Sequence, residues 1–198
     1  MMDTYDGIPP EDWAVELGGM AAWNRRHLMA AFALLGVPEY MLDVGCGDGT
    51  MVETARKLGV DAYGVDQLVD SDWNWYFTHY NLVDRFSLKA TYGARGANLV
   101  ICLEVAEHLH HSAHPTLCDT LAMNLLTGQG NFLLFSAAFP NQGGMGHVSE
   151  RPSKYWLDEL ALRGLNDRKD LTVQLSLLWS NIGSPLYWLA SNILVLEK

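Results

Sequence analysis

Short apolar runs alternate along the chain with stretches whose apolar residues recur at helical spacing. The runs at residues 40–44, 60–65, 98–103 and 130–138 have strand length. Another run, ending near Asn81 and Leu82, completes a set of five. Between them, residues 13–35, 51–58, 115–125 and 153–163 place apolar side chains three or four apart, as an amphipathic helix does. Pro115 and Ser153 mark helix starts, and Gly128 and Gly164 mark ends. Two β-rich runs, LTVQLSLLW and LYWLASNILVLEK, flank residues 181–185 and predict a closing antiparallel hairpin. Strand alternating with helix implies a three-layer α/β sandwich around a mostly parallel seven-stranded sheet whose last strand is antiparallel.

The first run stops at glycines spaced G-x-G-x-G, in MLDVGCGDGT, and a helical pattern follows at once. Gly45, Gly47 and Gly49 therefore sit in a strand-to-helix turn where a ligand can lie against bare main chain. A dinucleotide turn is the rival reading, but its third glycine would stand at Thr50. Asp43, two residues before the first glycine, would repel a pyrophosphate and attract an ammonium. The second strand ends in Asp66, where a carboxylate can accept both hydroxyls of a ribose. The fourth runs into Glu104 and then Glu107-His108.

LDVGCGDGT, GVDQ and CLEVAEHL, in that order, resemble the motifs of class I S-adenosylmethionine-dependent methyltransferases. The resemblance runs from about Leu35 onward and implies a Rossmann-like fold with S-adenosyl-L-methionine as cofactor and S-adenosyl-L-homocysteine as product. By that resemblance the turn (Asp43, Gly45, Cys46, Gly47, Gly49) holds the methionyl part, and Asp66 the ribose. Gln67, Asn81 and Leu82 meet the adenine, and Leu103 with Glu104 closes the strand end beside the cofactor. Relatives often carry an acid where Asn81 stands; an Asn carbonyl accepts the same hydrogen bond, with Tyr80 the alternative if the register slips by one. The helix before the first strand often roofs the cofactor, which makes Trp23 and His27 pocket candidates against a core aromatic and a surface histidine. The segment G-H-V-x-x-R-P-x-x-Y-W also resembles small methyltransferases, many carried by phages, and suggests that His147 and its glycine-rich loop cover the acceptor.

An oxygen acceptor must lose a proton, and histidine is the side chain whose ordinary pKa suits that task. His147 is the first candidate base and His108 the second, with Glu107 as orienting partner. His108, His110, His111 and His114 cluster without a metal-ligand spacing, so the cluster reads as a solvated loop and no metal is expected. The aromatics Trp73, Trp75, Tyr76 and Phe77 read as packing rather than as a stacking platform.

Composition adjusts this picture in three ways. The 198 residues suit a single domain, with 1–12 as a flexible arm, 13–36 as N-terminal helices and 40–198 as the core. A formal charge of −10 disfavours nucleic acid and favours a small-molecule or glycan acceptor, as does the absence of an N-P-P-Y-type base-gripping motif after the fourth strand. Three cysteines without C-x-x-C spacing, no long apolar run and an acidic N-terminus point to a cytoplasmic chain with reduced thiols and no membrane span. The expectation is methyl transfer to an oxygen or nitrogen atom. The alternatives are a noncatalytic S-adenosylmethionine-binding protein and a nicotinamide-dependent oxidoreductase.

Overall fold

The computed structural model of the chain describes residues 20–70, 73–183 and 187–198. The predicted arm and the first part of the N-terminal helical stretch lie outside these residues. Helix α1 (Met20–Leu35) precedes β1 (Tyr40–Val44), α2 (Thr50–Lys57), β2 (Asp61–Asp66) and β3 (Phe77–His79). Then come α3 (Leu88–Tyr92), β4 (Leu99–Leu103), α4 (His114–Asn124), β5 (Phe132–Ser136) and α5 (Ser153–Ala161). The chain closes with β6 (Asn166–Asp167), α6 (Lys169–Ser180), α7 (Tyr187–Asn192) and β7 (Leu194–Glu197).

The seven strands lie in the order β3-β2-β1-β4-β5-β7-β6, and only β7 runs against its neighbours. Side chains alternate across the sheet as the pleat requires. Met41, Leu99, Ile101, Phe132 and Leu134 pack toward α1, α2, α6 and α7, while Leu42, Val100, Cys102, Leu133 and Phe135 pack toward α3, α4 and α5. Successive strands leave β1 in opposite directions from β4 and β5, so a crevice opens beyond the carboxyl ends of β1 and β4.

The predicted closing hairpin does not form. LTVQLSLLW is helix α6, which buries Leu175 and Trp179, four residues apart, and leaves Val173, Leu177 and Leu178 exposed. The first part of the second run is helix α7, and its last part forms β7. The strand that pairs with β7 is instead Asn166–Asp167, too short to show a period. Leu171, Val173, Leu175 and Leu177 alternate as a strand would, but Leu175 and Trp179 also satisfy the helical spacing, and core contact decides between the two. The third strand ends at His79, two residues before the predicted position, and α3 was not anticipated.

His27 is neither a surface nor a pocket residue. Its Nδ1 lies 2.7 Å from the Trp23 carbonyl and its ring meets Trp179 edge-on, 5.1 Å between centroids, while Trp179 Nε1 donates to the His27 carbonyl at 3.1 Å. Burial lowers its pKa. Trp23 is half-buried and does not line the cleft described below. The 73–77 aromatics pack on one another and on Arg56, whose guanidinium lies 4.1 Å over Tyr76.

Gly49 caps α2 at φ 74°, and a Cβ there would fall 2.4 Å from Phe77 Cζ. Its want of a side chain serves that packing. Gly49→Ala should therefore destabilise the chain by about 2–4 kcal/mol, from left-handed strain plus overpacking, read as a lowered urea midpoint.

Candidate active site

The turn after β1 is tied to the end of β2. Gly45 N and Cys46 N donate to the Val65 carbonyl at 2.8 and 3.2 Å. Asp66 finishes the connection: its Oδ2 accepts from Gly47 N at 2.9 Å and its Oδ1 from Leu68 N at 2.9 Å. Gly47 stands at φ 52°, and nothing lies within 4 Å of the place its Cβ would occupy, so its main chain faces open space. A Cβ on Gly45 would instead lie 2.3 Å from Val105 Cγ2.

Asp43 and Asp66 are 5% and 8% exposed. Burial raises the pKa of both, and for Asp43 the neighbouring Asp66 and Asp48 carboxylates raise it further. Two crowded, desolvated carboxylates beside a bend of bare main chain favour a cation nearby. That chemistry fits a ligand carrying an ammonium and a sulfonium, and it opposes a pyrophosphate.

A cleft of about 1370 Å³ opens beyond the strand ends. Gly45, Gly47, Asp66 and Gln67 line one end, Asn81 and Leu82 lie beside them, and Glu104, His108 and His147 carry the wall onward. Of the other residues singled out from sequence, Asp43, Cys46, Gly49, Leu103 and Glu107 are not on this wall. Cys46 is a buried thiol packed against Gly64, and burial pushes its pKa up. Asn81 Oδ1 already accepts from Val83 N at 3.2 Å, so one lone pair is committed to a local turn.

The sequence reading missed His79, Trp188, Ser191 and Asn192, which also line the cleft. His79 sits at the end of β3, two residues short of where that strand was expected to finish. The last three ride on α7, the segment taken for a strand.

The far end of the cleft is walled by Glu104, His108 and His147, with the buried Glu107 carboxyl within reach of both imidazoles. Glu104 holds a left-handed conformation, φ 55°, and its amide donates to Ser136 O and Oγ at 3.1 Å each. Its carboxylate accepts from Asn192 Nδ2. Glu107 is fully buried; Oε1 accepts from Ala138 N at 3.1 Å and Oε2 has no hydrogen-bond partner. Burial and the adjoining Glu104 push its pKa from 4.5 to about 8.

The glycine-rich loop is less free than its composition suggests. Val148 N and Ser149 N both donate to the Glu107 carbonyl, at 2.9 and 3.0 Å. Glu150 accepts from Asn141 N at 2.7 Å and Gly143 N at 2.8 Å, and lies 2.9 Å from His147 Nδ1. These bonds, the histidine's first, hold the Glu150 carboxyl below its ordinary pKa. His147 is thereby delivered to His108, ring against ring at 5.0 Å. The other histidines go elsewhere. His110 and His111 are exposed, their rings tilted against each other with centroids 4.1 Å apart, whereas His114, expected in a solvated loop, is buried between Tyr155 Oη at 3.1 Å and the Leu109 carbonyl at 3.3 Å. His114 opens α4, with Pro115 beside it in the first turn.

Because Glu107 keeps its proton in the folded chain to about pH 8 but loses it near pH 4.5 when unfolded, the folded state holds the extra proton between those values. This contribution to stability is complete below pH 4.5 and is lost as pH rises, at up to about 1.4 kcal/mol per pH unit. Urea unfolding between pH 5 and 8 should show a slope shallower by about one proton in Glu107→Gln.

A methyltransferase-domain family model matches residues 20–164. Among solved structures, an S-adenosylmethionine-dependent methyltransferase from Archaeoglobus fulgidus superposes with a TM-score of 0.59 at 11% identity, covering 93% of this chain and 96% of that one. The sugar N-methyltransferase KedS8 from a Streptoalloteichus species gives 0.59 at 15% identity, covering 96% and 93%. Human N-acetylserotonin methyltransferase gives 0.55 at 15%, and this chain, 97% covered, spans 60% of that protein. A probable tRNA (uracil-O(2)-)-methyltransferase from Caenorhabditis briggsae is 29% identical over 73 residues, which are 37% of this chain and 13% of that protein. No helix among the described residues is long and apolar enough to cross a membrane. The family match, the sheet order and the acid-flanked glycine turn agree: the chain belongs to the methyltransferase-domain family, within the class I S-adenosylmethionine-dependent superfamily.

Proposed function

We propose that this protein transfers the methyl group of S-adenosylmethionine to an oxygen or nitrogen atom of a small molecule or glycan. The observation that carries the proposal is the bend of bare main chain at Gly47, clamped by the buried Asp66 carboxylate and opening into a cleft that continues to His147. When bound, the cofactor supplies a methyl group on a sulfonium, activated for direct displacement. The Gly45 and Gly47 main chain, with the buried Asp43 near it, is suited to the methionyl end, Asp66 to the ribose, and Gln67, Asn81 and Leu82 to the adenine. Val105, whose side chain crowds Gly45, forms the floor between the turn and the acceptor end.

Glu107, His108 and His147 form the place where the acceptor's proton is lost. Positioning and exclusion of water supply the remainder of the rate. A net charge of −10 favours a small acceptor over a nucleic acid backbone. A nicotinamide dinucleotide would set its pyrophosphate against two buried carboxylates. A noncatalytic binding protein would need a closed acceptor cavity, and the cleft runs on past the glycine turn.

Calorimetry with S-adenosylmethionine, S-adenosylhomocysteine and NAD tests this reading. The two sulfur nucleosides should bind and NAD should not; the opposite pattern would reject it. Asp66→Ala should weaken cofactor binding by about 1–3 kcal/mol, roughly 5- to 150-fold, through lost charge-assisted hydrogen bonds. A screen for S-adenosylhomocysteine release over alcohols, amines and sugars then identifies the acceptor.

A further inference from the structure

The acceptor end of the cleft holds more than a base needs. One potential ligand atom from each of Glu107, His108 and His147 lies within 4.8 Å of the other two. Donor atoms about 2.0–2.2 Å from one cation lie about 3–4 Å from each other, so small side-chain rotations would close the set. Two further observations point to a ligand. Glu107 is fully buried, yet its Oε2 has no hydrogen-bond partner, a costly arrangement unless something fills the place. Glu104, held at φ 55° on the strand end, brings a second carboxylate against it.

The loop supports the same reading. Glu150 engages His147 Nδ1, which fixes the tautomer so that Nε2 carries a lone pair. A carboxylate that orients a ligating imidazole through its other nitrogen is the usual outer support of a metal site.

We propose that Glu107, His108 and His147, with Glu104 beside them, bind one divalent first-row transition cation, which ionises an acceptor hydroxyl for methyl transfer. The donor set of imidazole nitrogen and carboxylate oxygen suits manganese, iron, cobalt or zinc better than calcium or magnesium. The inference rests on the methyltransferase reading and narrows it to an oxygen acceptor. Next to the cation, the hydroxyl's pKa falls and its proton leaves to water. An oxygen lone pair then forms the bond to the methyl carbon as the carbon–sulfur bond breaks, its electrons staying on sulfur. A methyl ether, a neutral thioether and one proton result.

The test titrates chelator-treated full-length chain with MnCl2 and, separately, with S-adenosylhomocysteine, both by calorimetry. One Mn2+ per chain is expected. His108→Ala and His147→Ala should each weaken it at least tenfold, while His110→Ala and His111→Ala, exposed on the neighbouring turn, should match the parent. Retained S-adenosylhomocysteine binding in every variant reports intact folding and an intact cofactor site. Nucleoside binding without Mn2+ or Zn2+ uptake, or uptake unchanged by His108→Ala and His147→Ala, overturns the cation site and leaves the methyltransferase reading standing. Histidine-dependent Mn2+ uptake in a parent chain that ignores the nucleoside supports the cation site and removes the methyl-transfer role.

Discussion

A buried carboxylate holding a bare main-chain bend is the contact on which the cleft depends. Asp66 closes β2 and accepts the Gly47 amide at 2.9 Å, so the turn after β1 is anchored on the neighbouring strand. Register makes this possible: β1 and β2 pair in parallel with Val44 opposite Val65, which brings Gly45–Gly47 alongside Asp66. Burial keeps the arrangement under electrostatic tension, since Asp43 lies behind the same bend and both carboxyls are pushed toward protonation. A cation in the cleft would relieve that tension, which gives the site a preferred sign of ligand.

The other end of the cleft is ordered by a different economy of hydrogen bonds. The loop from Phe139 to Glu150 carries three glycines, but two backbone amides close onto the Glu107 carbonyl and three groups converge on the Glu150 carboxylate. Gly144 is the point of closest approach, because a Cβ there would fall 2.3 Å from His147 Nε2. The loop therefore presents His147 from a fixed frame. Glu104, Glu107 and His108 come from the end of β4 and His147 from beyond β5, so the site joins two adjacent parallel strands at their carboxyl ends.

Elements with a single reading were legible from sequence. The five apolar runs became the five parallel strands β1 to β5 with ends shifted by a few residues, and the Pro115 and Ser153 helices start where their signals stand. LTVQLSLLW had two readings. Its leucines satisfy a period of two and a period of four at once, and only the presence of a sheet face for Leu175 and Trp179 to cover selects the helix. The second run, LYWLASNILVLEK, hid Asn192, whose amide holds Glu104, because a residue on a mistaken strand was given no reason to face the cleft. Glu150 also went unread, since nothing in the string GHVSERP signals that its carboxylate gathers a loop.

Local chemistry settled the strand-turn-helix unit, the acids that flank it and the superfamily, because those features depend on neighbours a few residues apart and on backbone freedom that only certain residue types have. The folded arrangement alone decided which glycine opens to the cleft and which makes room for Phe77, which histidine is buried and which faces the cavity, and that Glu107 is left with an unpartnered oxygen beside Glu104. Those outcomes turn on contacts between residues far apart in the chain. Burial and through-space charge carry no signature in the order of residues; they exist only once the layers have closed over the sheet.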